Sequence, residues 1–378
     1  MIYFDNAATG GTKPPQVLES VISTLRYLSV NPGRSGHRLA LTGAEFVWKT
    51  RKKLAEFFNA PSPKRVCFTK NCTEALNVAI YGLYRRGGHV VTTCLEHNSV
   101  LRPLYDLQRR GELSFEVASP KNGKFITAED VAPLLRENTD MVVVNLVSNV
   151  TGARADIESI GRLCQQRGLQ LIADGAQACG HYPIDLKKTG IDALAIAGHK
   201  GMYGVQGSGA LIFSERCNPR PLLYGGTGTD SLSLLQPESY PERLESGTLS
   251  LPAVISLAEG VMYLEKNAEP FAMTVERMTD GLLRDLNTLS QITVYSKPNP
   301  AGIVSFAVKD VPSQTIADLL SEKYDIAVRG GLHCAPLAHA FLGTSESGLV
   351  RVSLSPHNTT RECKKLLFAL SEILSTTV

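Results

Sequence analysis

Lys200 comes just after an apolar run that is predicted to form a strand. The stretch AIAGHKGMYG (195–204) places His199 and Lys200 between glycines. Because a buried ammonium usually has a partner or a chemical role, a lysine in this setting points to chemistry. Asp174 ends the run LQLIAD, so it lies at the end of another predicted strand, as Lys200 does. An amine and a carboxylate at two strand ends indicate a site.

Further polar residues follow other predicted strands. Gln177 comes after LQLIAD, Asn149 after MVVVNLVS and His97 after HVVTTCLE. Thr73 opens a helix after RVCFT, and a helix N-terminus with free N–H groups is suited to bind a phosphate. Together these groups suit an aldehyde cofactor with a phosphate arm and a ring nitrogen.

Pyridoxal phosphate has these features, so the residues predict it as cofactor. A lysine would hold its aldehyde carbon, and an aspartate would keep its ring nitrogen protonated so that the ring accepts electrons. Each residue alone has an ordinary explanation. Asp174 could cap a helix, Lys200 could be solvated, and His97 could be a hydrogen-bonded structural residue. Their joint placement on successive strand ends favours the cofactor site.

Cys334 is the candidate nucleophile among the eight cysteines. It follows Gly330 and Gly331, lies beside His333 and comes shortly after Arg329. A flexible, electropositive loop favours the thiolate and lets it reach a substrate. The alternative is a cysteine that only packs at a domain edge. The other seven have apolar or helical surroundings typical of structural burial, with Cys72 a possible exception.

The order of elements explains how these residues come together. Short apolar strands alternate with helices through most of the chain, which predicts an α/β fold with a mostly parallel sheet flanked by helices. Ligands bind beyond the carboxyl ends of such strands. We expect a large cofactor-binding domain over 16–255. A smaller α+β domain over 256–378, joined by residues 1–15, would carry the cysteine loop.

Composition excludes several classes of function. The chain has 378 residues, 43% hydrophobic and 20% charged, with a net charge of +3. The sequence has no stripe of basic residues that would indicate nucleic-acid binding. No apolar run reaches the roughly 18 residues that a membrane span needs. The cysteines form no CxxC pair, which argues against a zinc site and against a disulfide framework. No signal peptide is recognisable, and we expect a reducing, cytoplasmic setting.

Motifs along the chain resemble a known family. YFDNAAT, FTKNCTEALN, LEHNS, VSNVTG, ADGAQ, AGHKGMYG and ESGT are similar to motifs of the class V aminotransferases, which are fold-type-I pyridoxal phosphate enzymes. RGGLHCAP and VRVSLS narrow the resemblance to cysteine desulfurases and selenocysteine lyases with a short cysteine-bearing loop. The resemblance runs from residue 2 to about residue 358.

The resemblance implies a role for each matched residue. Lys200 would hold the cofactor, Asp174 would pair with the ring nitrogen and His97 would stack on the ring. Asn149 and Gln177 would contact the ring hydroxyl, and Arg351, with Asn149, would bind the substrate carboxylate. Arg329 and His333 would flank Cys334. The phosphate would be contacted by Thr73, Cys72, His199 and, from the other subunit of a homodimer, Thr248.

Three positions depart from the family pattern. Relatives often carry a hydroxyl residue where this chain has Ala197 and Cys72, so we expect weaker retention of the cofactor. Leu332 replaces a polar residue that is common in the cysteine loop.

The implied reaction is removal of sulfur from L-cysteine. Lys200 would take the Cα proton, Cys334 would attack the sulfur, and the products would be L-alanine and a persulfide on Cys334 for an acceptor protein or small thiol. Three alternatives stay open. The first is a selenocysteine lyase acting on L-selenocysteine, the second a plain aminotransferase, in which Cys334 would have no task, and the third a non-catalytic sulfur-relay subunit.

Overall fold

A computed structural model describes residues 1–121, 123 and 125–377 of the chain. The helices are α1 (Pro15–Tyr27), α2 (Arg38–Phe57), α3 (Cys72–Leu83), α4 (Asn98–Arg109), α5 (Ala128–Val131), α6 (Ile157–Arg167), α7 (Leu186–Thr189), α8 (Leu251–Leu286), α9 (Ser313–Tyr324), α10 (Pro336–Leu342) and α11 (Thr360–Thr377). The strands are β1 (Ile2–Tyr3), β2 (Val66–Thr69), β3 (Gly88–Thr93), β4 (Leu113–Ala118), β5 (Thr139–Asn145), β6 (Gln170–Asp174), β7 (Ala193–Ala197), β8 (Gly209–Phe213), β9 (Ile292–Val294), β10 (Ile303–Val308), β11 (Ile326–Ala327) and β12 (Val350–Ser353). Two short 3-10 helices cover Pro63–Arg65 and Ala132–Leu134.

The main sheet confirms the predicted α/β architecture. Its strand order in the described part of the chain is β2-β8-β7-β6-β5-β3-β4. The five strands from β7 to β4 are parallel, and β8 runs antiparallel to both β7 and β2. Helices cover both faces, so alternate residues of one strand enter different cores. Leu171 and Ala173 of β6 belong to one hydrophobic cluster and Ile172 to the other.

A second, antiparallel sheet has the order β12-β10-β9 and its own core. That core includes Phe4, Phe306 and Leu366, so the N-terminal segment packs with the C-terminal part. Strand β1 pairs with β11 in parallel. The division into domains at residue 255 stays a prediction, and that position lies within the continuous helix α8.

Several local details add to the predictions from the sequence. Helix α8 begins at Leu251, and Gly247 before it has a left-handed backbone with a φ of +93°. In the segment IAVRGGLHC only Ile326 and Ala327 form a strand, and the glycines that follow open the cysteine loop. Strand β4 was not predicted, because LSFEVA has only half-buried residues between its two ends. In the described part of the chain, no helix is both long and apolar enough to cross a bilayer.

Candidate active site

The carboxyl ends of the parallel strands bring the predicted polar residues together. Asn145 of β5 pairs with Asp174 of β6, and Asp174 pairs with Ala195 of β7. Lys200 follows β7 by three residues. A cavity opens at this edge of the sheet. Its lining includes eight of the predicted residues: Cys72, Thr73, His97, Asn149, Asp174, Gln177, His199 and Lys200.

Asp174 forms the acidic end of this cavity. Its Oδ1 accepts a hydrogen bond from the backbone N–H of Ala176 at 2.8 Å and lies 3.4 Å from the thiol sulfur of Cys72. Burial, with the neighbouring Asp174 carboxylate, raises the pKa of Cys72 well above its usual value, so the thiol keeps its proton and acts as donor. Cys72 therefore contacts the carboxylate instead of being merely a packing residue.

The amine of Lys200 lies in surroundings that favour its uncharged form. Burial lowers its pKa; Asp174 and Cys72 oppose this effect, while Arg351 and Arg329 add to it. An uncharged amine is the form that can attack a carbonyl carbon or take a proton. The backbone before Lys200 is held by the N-terminal segment, because Gly10 N–H and Lys13 Nζ both donate to the carbonyl of His199, at 2.9 and 3.0 Å.

His97 caps α4 with its side chain. Its Nδ1 accepts a hydrogen bond from the backbone N–H of Ser99 at 3.0 Å and lies 2.7 Å from Ser99 Oγ, which lies 2.9 Å from Thr73 Oγ1. Burial lowers the pKa of His97, so the ring is neutral and its proton is on Nε2. The ring is thus fixed in orientation, as a residue that stacks on a cofactor must be. Ser99 has a positioning role that the sequence did not suggest.

The start of α3 gives the cavity a helix N-terminus. Asn71 caps the helix by accepting a hydrogen bond from the N–H of Glu74 at 2.9 Å, while Cys72 and Thr73 form its first turn and line the cavity. The first-turn N–H groups of a helix bind anions well. Ala197, at the end of β7, also lines the cavity and offers no hydroxyl there.

These residues fit pyridoxal phosphate. Lys200 is available for the aldehyde carbon, Asp174 for the ring nitrogen and the first turn of α3 for the phosphate. Asn149 supplies an independent indication, because its Oδ1 is buried and has no hydrogen-bond partner within the described residues. A buried acceptor without a partner is unfavourable, and a ring hydroxyl would satisfy it.

Arg351 of β12 reaches the same site from the C-terminal sheet. Its Nη1 donates to the carbonyl of Asn149 at 3.0 Å and its Nη2 to Asp5 Oδ1 at 2.9 Å. The residue is 1% exposed. Burial lowers the pKa of Arg351, and the Asp5 carboxylate opposes that effect. The Asp5 contact was not expected, since the motif YFDNAAT alone assigns Asp5 no partner.

Cys334 lies on a loop held against the large sheet's loops. The N–H of Asn98 donates to the Cys334 carbonyl at 2.7 Å, and Asn149 Nδ2 donates to the His333 carbonyl at 2.8 Å. His333 and Cys334 both have left-handed backbone, with φ of +52° and +56°. Such conformations are unfavourable for non-glycine residues and are found in functional loops. Cys334 is exposed, and the other seven cysteines are buried.

An arginine and a pair of histidines lie close to Cys334. Arg329 Nη2 lies 3.9 Å from the Cys334 sulfur, which places a positive charge beside it. His333 stacks on His339 with ring centroids 5.7 Å apart. Burial lowers the pKa of His333 to about 2, so this ring stays neutral at physiological pH. The contact between His339 and His333 was not foreseen, because a lone histidine in an apolar helix gives no signal of its own.

Glu96, next to His97, is a further residue that the sequence did not single out. It is fully buried, and its Oε1 accepts hydrogen bonds from Thr93 Oγ1 at 2.6 Å and from the N–H of Asn145 at 2.9 Å. Its Oε2 is buried without a partner in the described part of the chain. Burial raises the pKa of Glu96 to about 8, so the carboxyl is protonated near neutral pH.

Thr248 lies apart from this cluster. It is exposed on the segment between β8 and α8 and does not line the cavity. Leu232, Leu234 and Leu235 on the same segment are also largely exposed.

Comparisons with known proteins identify the family of this chain. The family model described as aminotransferase class-V matches residues 2–366. A probable cysteine desulfurase of Methanothermobacter thermautotrophicus is 32% identical, with 98% of this chain and 94% of that protein covered. One from Pyrococcus abyssi is 33% identical, with 99% and 94% covered. The apo structure of a cysteine desulfurase from Thermococcus onnurineus superposes with a TM-score of 0.92 at 31% identity, covering 99% of this chain and 94% of that one.

Proposed function

The chain belongs to the class V aminotransferase family, and we propose that it is a pyridoxal-phosphate-dependent cysteine desulfurase with Cys334 as its sulfur acceptor. The observation that carries the proposal is the Cys334 loop. An exposed thiol beside the Arg329 guanidinium adjoins a cavity that holds an amine, a carboxylate and a helix N-terminus. A plain aminotransferase has no use for this thiol.

The overall reaction transfers one sulfur atom. The C–S bond of L-cysteine breaks and an S–S bond forms between the departing sulfur and Cys334. The carbon fragment keeps the electron pair of the broken bond and takes up a proton at Cβ, which gives L-alanine. Bound pyridoxal phosphate supplies an electron-accepting ring that makes the Cα proton of the substrate acidic and its Cβ reactive.

The protein's own residues prepare and complete this transfer. Lys200, whose uncharged form is favoured by burial, would bind the cofactor, remove the Cα proton and return protons later. Asp174 would hold the ring nitrogen, and the neutral ring of His97 would cover the cofactor. Asn149 and Gln177 would contact the ring hydroxyl, and Thr73 and His199 the phosphate.

Arg351 and Cys334 act on the substrate. The Arg351 guanidinium is suited to grip a carboxylate through two N–H groups. That grip would aim the substrate's side chain at Cys334, whose sulfur attacks the substrate sulfur. The Arg329 guanidinium, 3.9 Å from the Cys334 sulfur, lies where it would stabilise the negative charge that the thiolate carries before the attack.

A homodimer is part of the proposal. Thr248 would contact the phosphate in the partner subunit, which agrees with its exposure and its distance from the cavity of its own chain. The exposed leucines near it would be covered in a dimer, since exposed apolar clusters are typical of interfaces. The eight cysteines, all unpaired, support a reducing compartment such as the cytoplasm.

The experiment compares Cys334→Ala with Cys363→Ala, which removes a buried thiol in α11. Both proteins should bind pyridoxal phosphate, because neither residue lines the cofactor cavity. Only the Cys334 variant should lose the release of alanine from L-cysteine. Wild-type protein treated with L-cysteine, alkylated and digested should carry a persulfide on Cys334. Alanine release by the Cys334 variant, or a persulfide found only on another cysteine, would refute the assignment.

The same assay with L-selenocysteine tests the alternative substrate. Turnover of L-selenocysteine together with no turnover of L-cysteine would replace the proposed function with that of a selenocysteine lyase.

A further inference from the structure

Arg351 has a carboxylate partner within its own chain. Its Nη2 donates to Asp5 Oδ1 at 2.9 Å, and its Nη1 donates to the Asn149 carbonyl at 3.0 Å. Its Nε is buried with no partner among the described residues. The guanidinium is therefore held by two protein groups, and one of its three nitrogens, Nε, has no partner among the described residues, which is a reason to expect a ligand there.

The position of Asp5 is fixed by its own backbone. Ser353 N–H donates to the Phe4 carbonyl at 2.6 Å, and Ala7 N–H donates to Ser353 Oγ at 2.9 Å. These bonds tie the N-terminal segment along β12 on both sides of Asp5. The Asp5 side chain is 23% exposed, whereas that of Arg351 is 1% exposed. The carboxylate thus lies between the buried guanidinium and the solvent.

Resting on the proposed function, we propose that Asp5 competes electrostatically with the substrate's carboxylate for Arg351 and so keeps the product, L-alanine, weakly bound. L-Cysteine and L-alanine carry the same carboxylate and amine. Any grip on that carboxylate therefore also retains the product. Because Asp5 occupies part of the guanidinium, it lowers the affinity of Arg351 for L-cysteine and for L-alanine alike. The weaker binding speeds the release of L-alanine.

The competition follows from the geometry of the guanidinium. A two-point grip needs two adjacent N–H groups on one edge of the group. Asp5 accepts its hydrogen bond from Nη2. This nitrogen belongs to both edges of the guanidinium, the one that it shares with Nε and the one that it shares with Nη1. A second carboxylate on either edge therefore lies beside the first, and like charges in a partly desolvated site repel each other.

The decisive variant is Asp5→Asn. It keeps an oxygen that can accept from Nη2 but removes the negative charge. We expect the variant holoenzyme to bind L-alanine about tenfold more tightly than the wild type in titration calorimetry. Ethylamine has the same amine without the carboxylate, so its affinity should be equal in the two proteins.

A matched control is Asp140→Asn. Asp140 also pairs with an arginine at 2.9 Å, and its side chain is 20% exposed, but it lies at the start of β5 away from the cavity. Its alanine affinity should equal that of the wild type. If Asp5→Asn does not fold, Asp5→Ser tests the same charge removal with a smaller side chain.

The outcomes separate this inference from the proposed function. Equal alanine affinity in the wild type and Asp5→Asn would overturn the inference. Weaker binding by the variant would also overturn it, because Asp5 would then only position Arg351. In both cases alanine release from L-cysteine by the wild type would leave the proposed function standing. A wild-type protein that neither converts L-cysteine nor binds L-alanine would refute both.

Discussion

Replacing Glu96 with glutamine should make the protein less sensitive to alkaline pH. The Glu96 carboxyl is fully buried, and burial raises its pKa from the ordinary 4.5 to about 8. The folded protein therefore keeps a proton on Glu96 that the unfolded chain has already lost at neutral pH. The stabilisation from this protonated form is complete below pH 4.5 and is lost as the pH rises to about 8.

The size of the effect follows from the shift in pKa. At 1.36 kcal/mol per pKa unit, the interval from 4.5 to about 8 corresponds to roughly 5 kcal/mol. With an unfolding entropy of about 2.1 cal/mol/K per residue, a 378-residue chain changes its melting temperature by roughly 1.3 °C per kcal/mol. Glutamine keeps the oxygen that accepts from Thr93 and Asn145 but cannot ionise. About 3 pKa units of this interval, or roughly 4 kcal/mol, lie above pH 5, so the variant should gain roughly 5 °C over the wild type between pH 5 and pH 8.5.

Calorimetric melting of both cofactor-free proteins at several pH values between 5 and 8.5 measures this difference. Glu265→Gln is a suitable control, because Glu265 is 40% exposed and pairs with Lys53 at the surface. Its difference from the wild type should stay nearly constant with pH. A difference between Glu96→Gln and the wild type that is the same at all pH values would refute the assignment of a buried, protonated carboxyl.

Three further variants test the cofactor and substrate contacts. Lys200→Ala should leave no lysine that carries the cofactor after borohydride reduction, as read by mass spectrometry; a modified lysine elsewhere would contradict the assignment. Ala197→Ser adds a hydroxyl to the cavity, and a hydrogen bond to a charged phosphate is worth about 1.5–3 kcal/mol, so the dissociation constant of pyridoxal phosphate should fall about tenfold or more. Equal constants would show that the missing hydroxyl is unimportant. Arg351→Lys keeps the charge without the two-point geometry, so the KM for L-cysteine should rise more than kcat falls. An unchanged KM would mean that another group binds the carboxylate.

Residues at strand ends were predictable from the sequence, because the rule that places them is topological. Asp174 ends one apolar strand and Lys200 follows another, and parallel strands present their carboxyl ends at one edge. The sheet brings them to one cavity as expected. Periodicity and polar residues after each run were sufficient, without any knowledge of side-chain contacts.

Contacts between distant or buried side chains were not predictable in this way. Cys72 was expected only near the phosphate, and its thiol contact with Asp174 joins the start of α3 to the end of β6, which are 102 positions apart in the sequence. Glu96 belongs to the quoted motif LEHNS, but nothing in the motif shows that the residue is buried. Its environment arises from Thr93 and Asn145, which come from two different strands. Local sequence patterns carry no information of this kind.

The pairing of the N-terminal segment with β12 has a consequence for biosynthesis. Asp5 and Arg351 are 346 positions apart, so the first residues made must wait for nearly the last before they reach their place. Closing such a long loop is entropically unfavourable, and contacts of this range form late in folding. The large sheet, in contrast, is complete once β8 has been made. A nascent chain can therefore build the cofactor cavity first, and it acquires its grip on amino acids only when synthesis is almost finished.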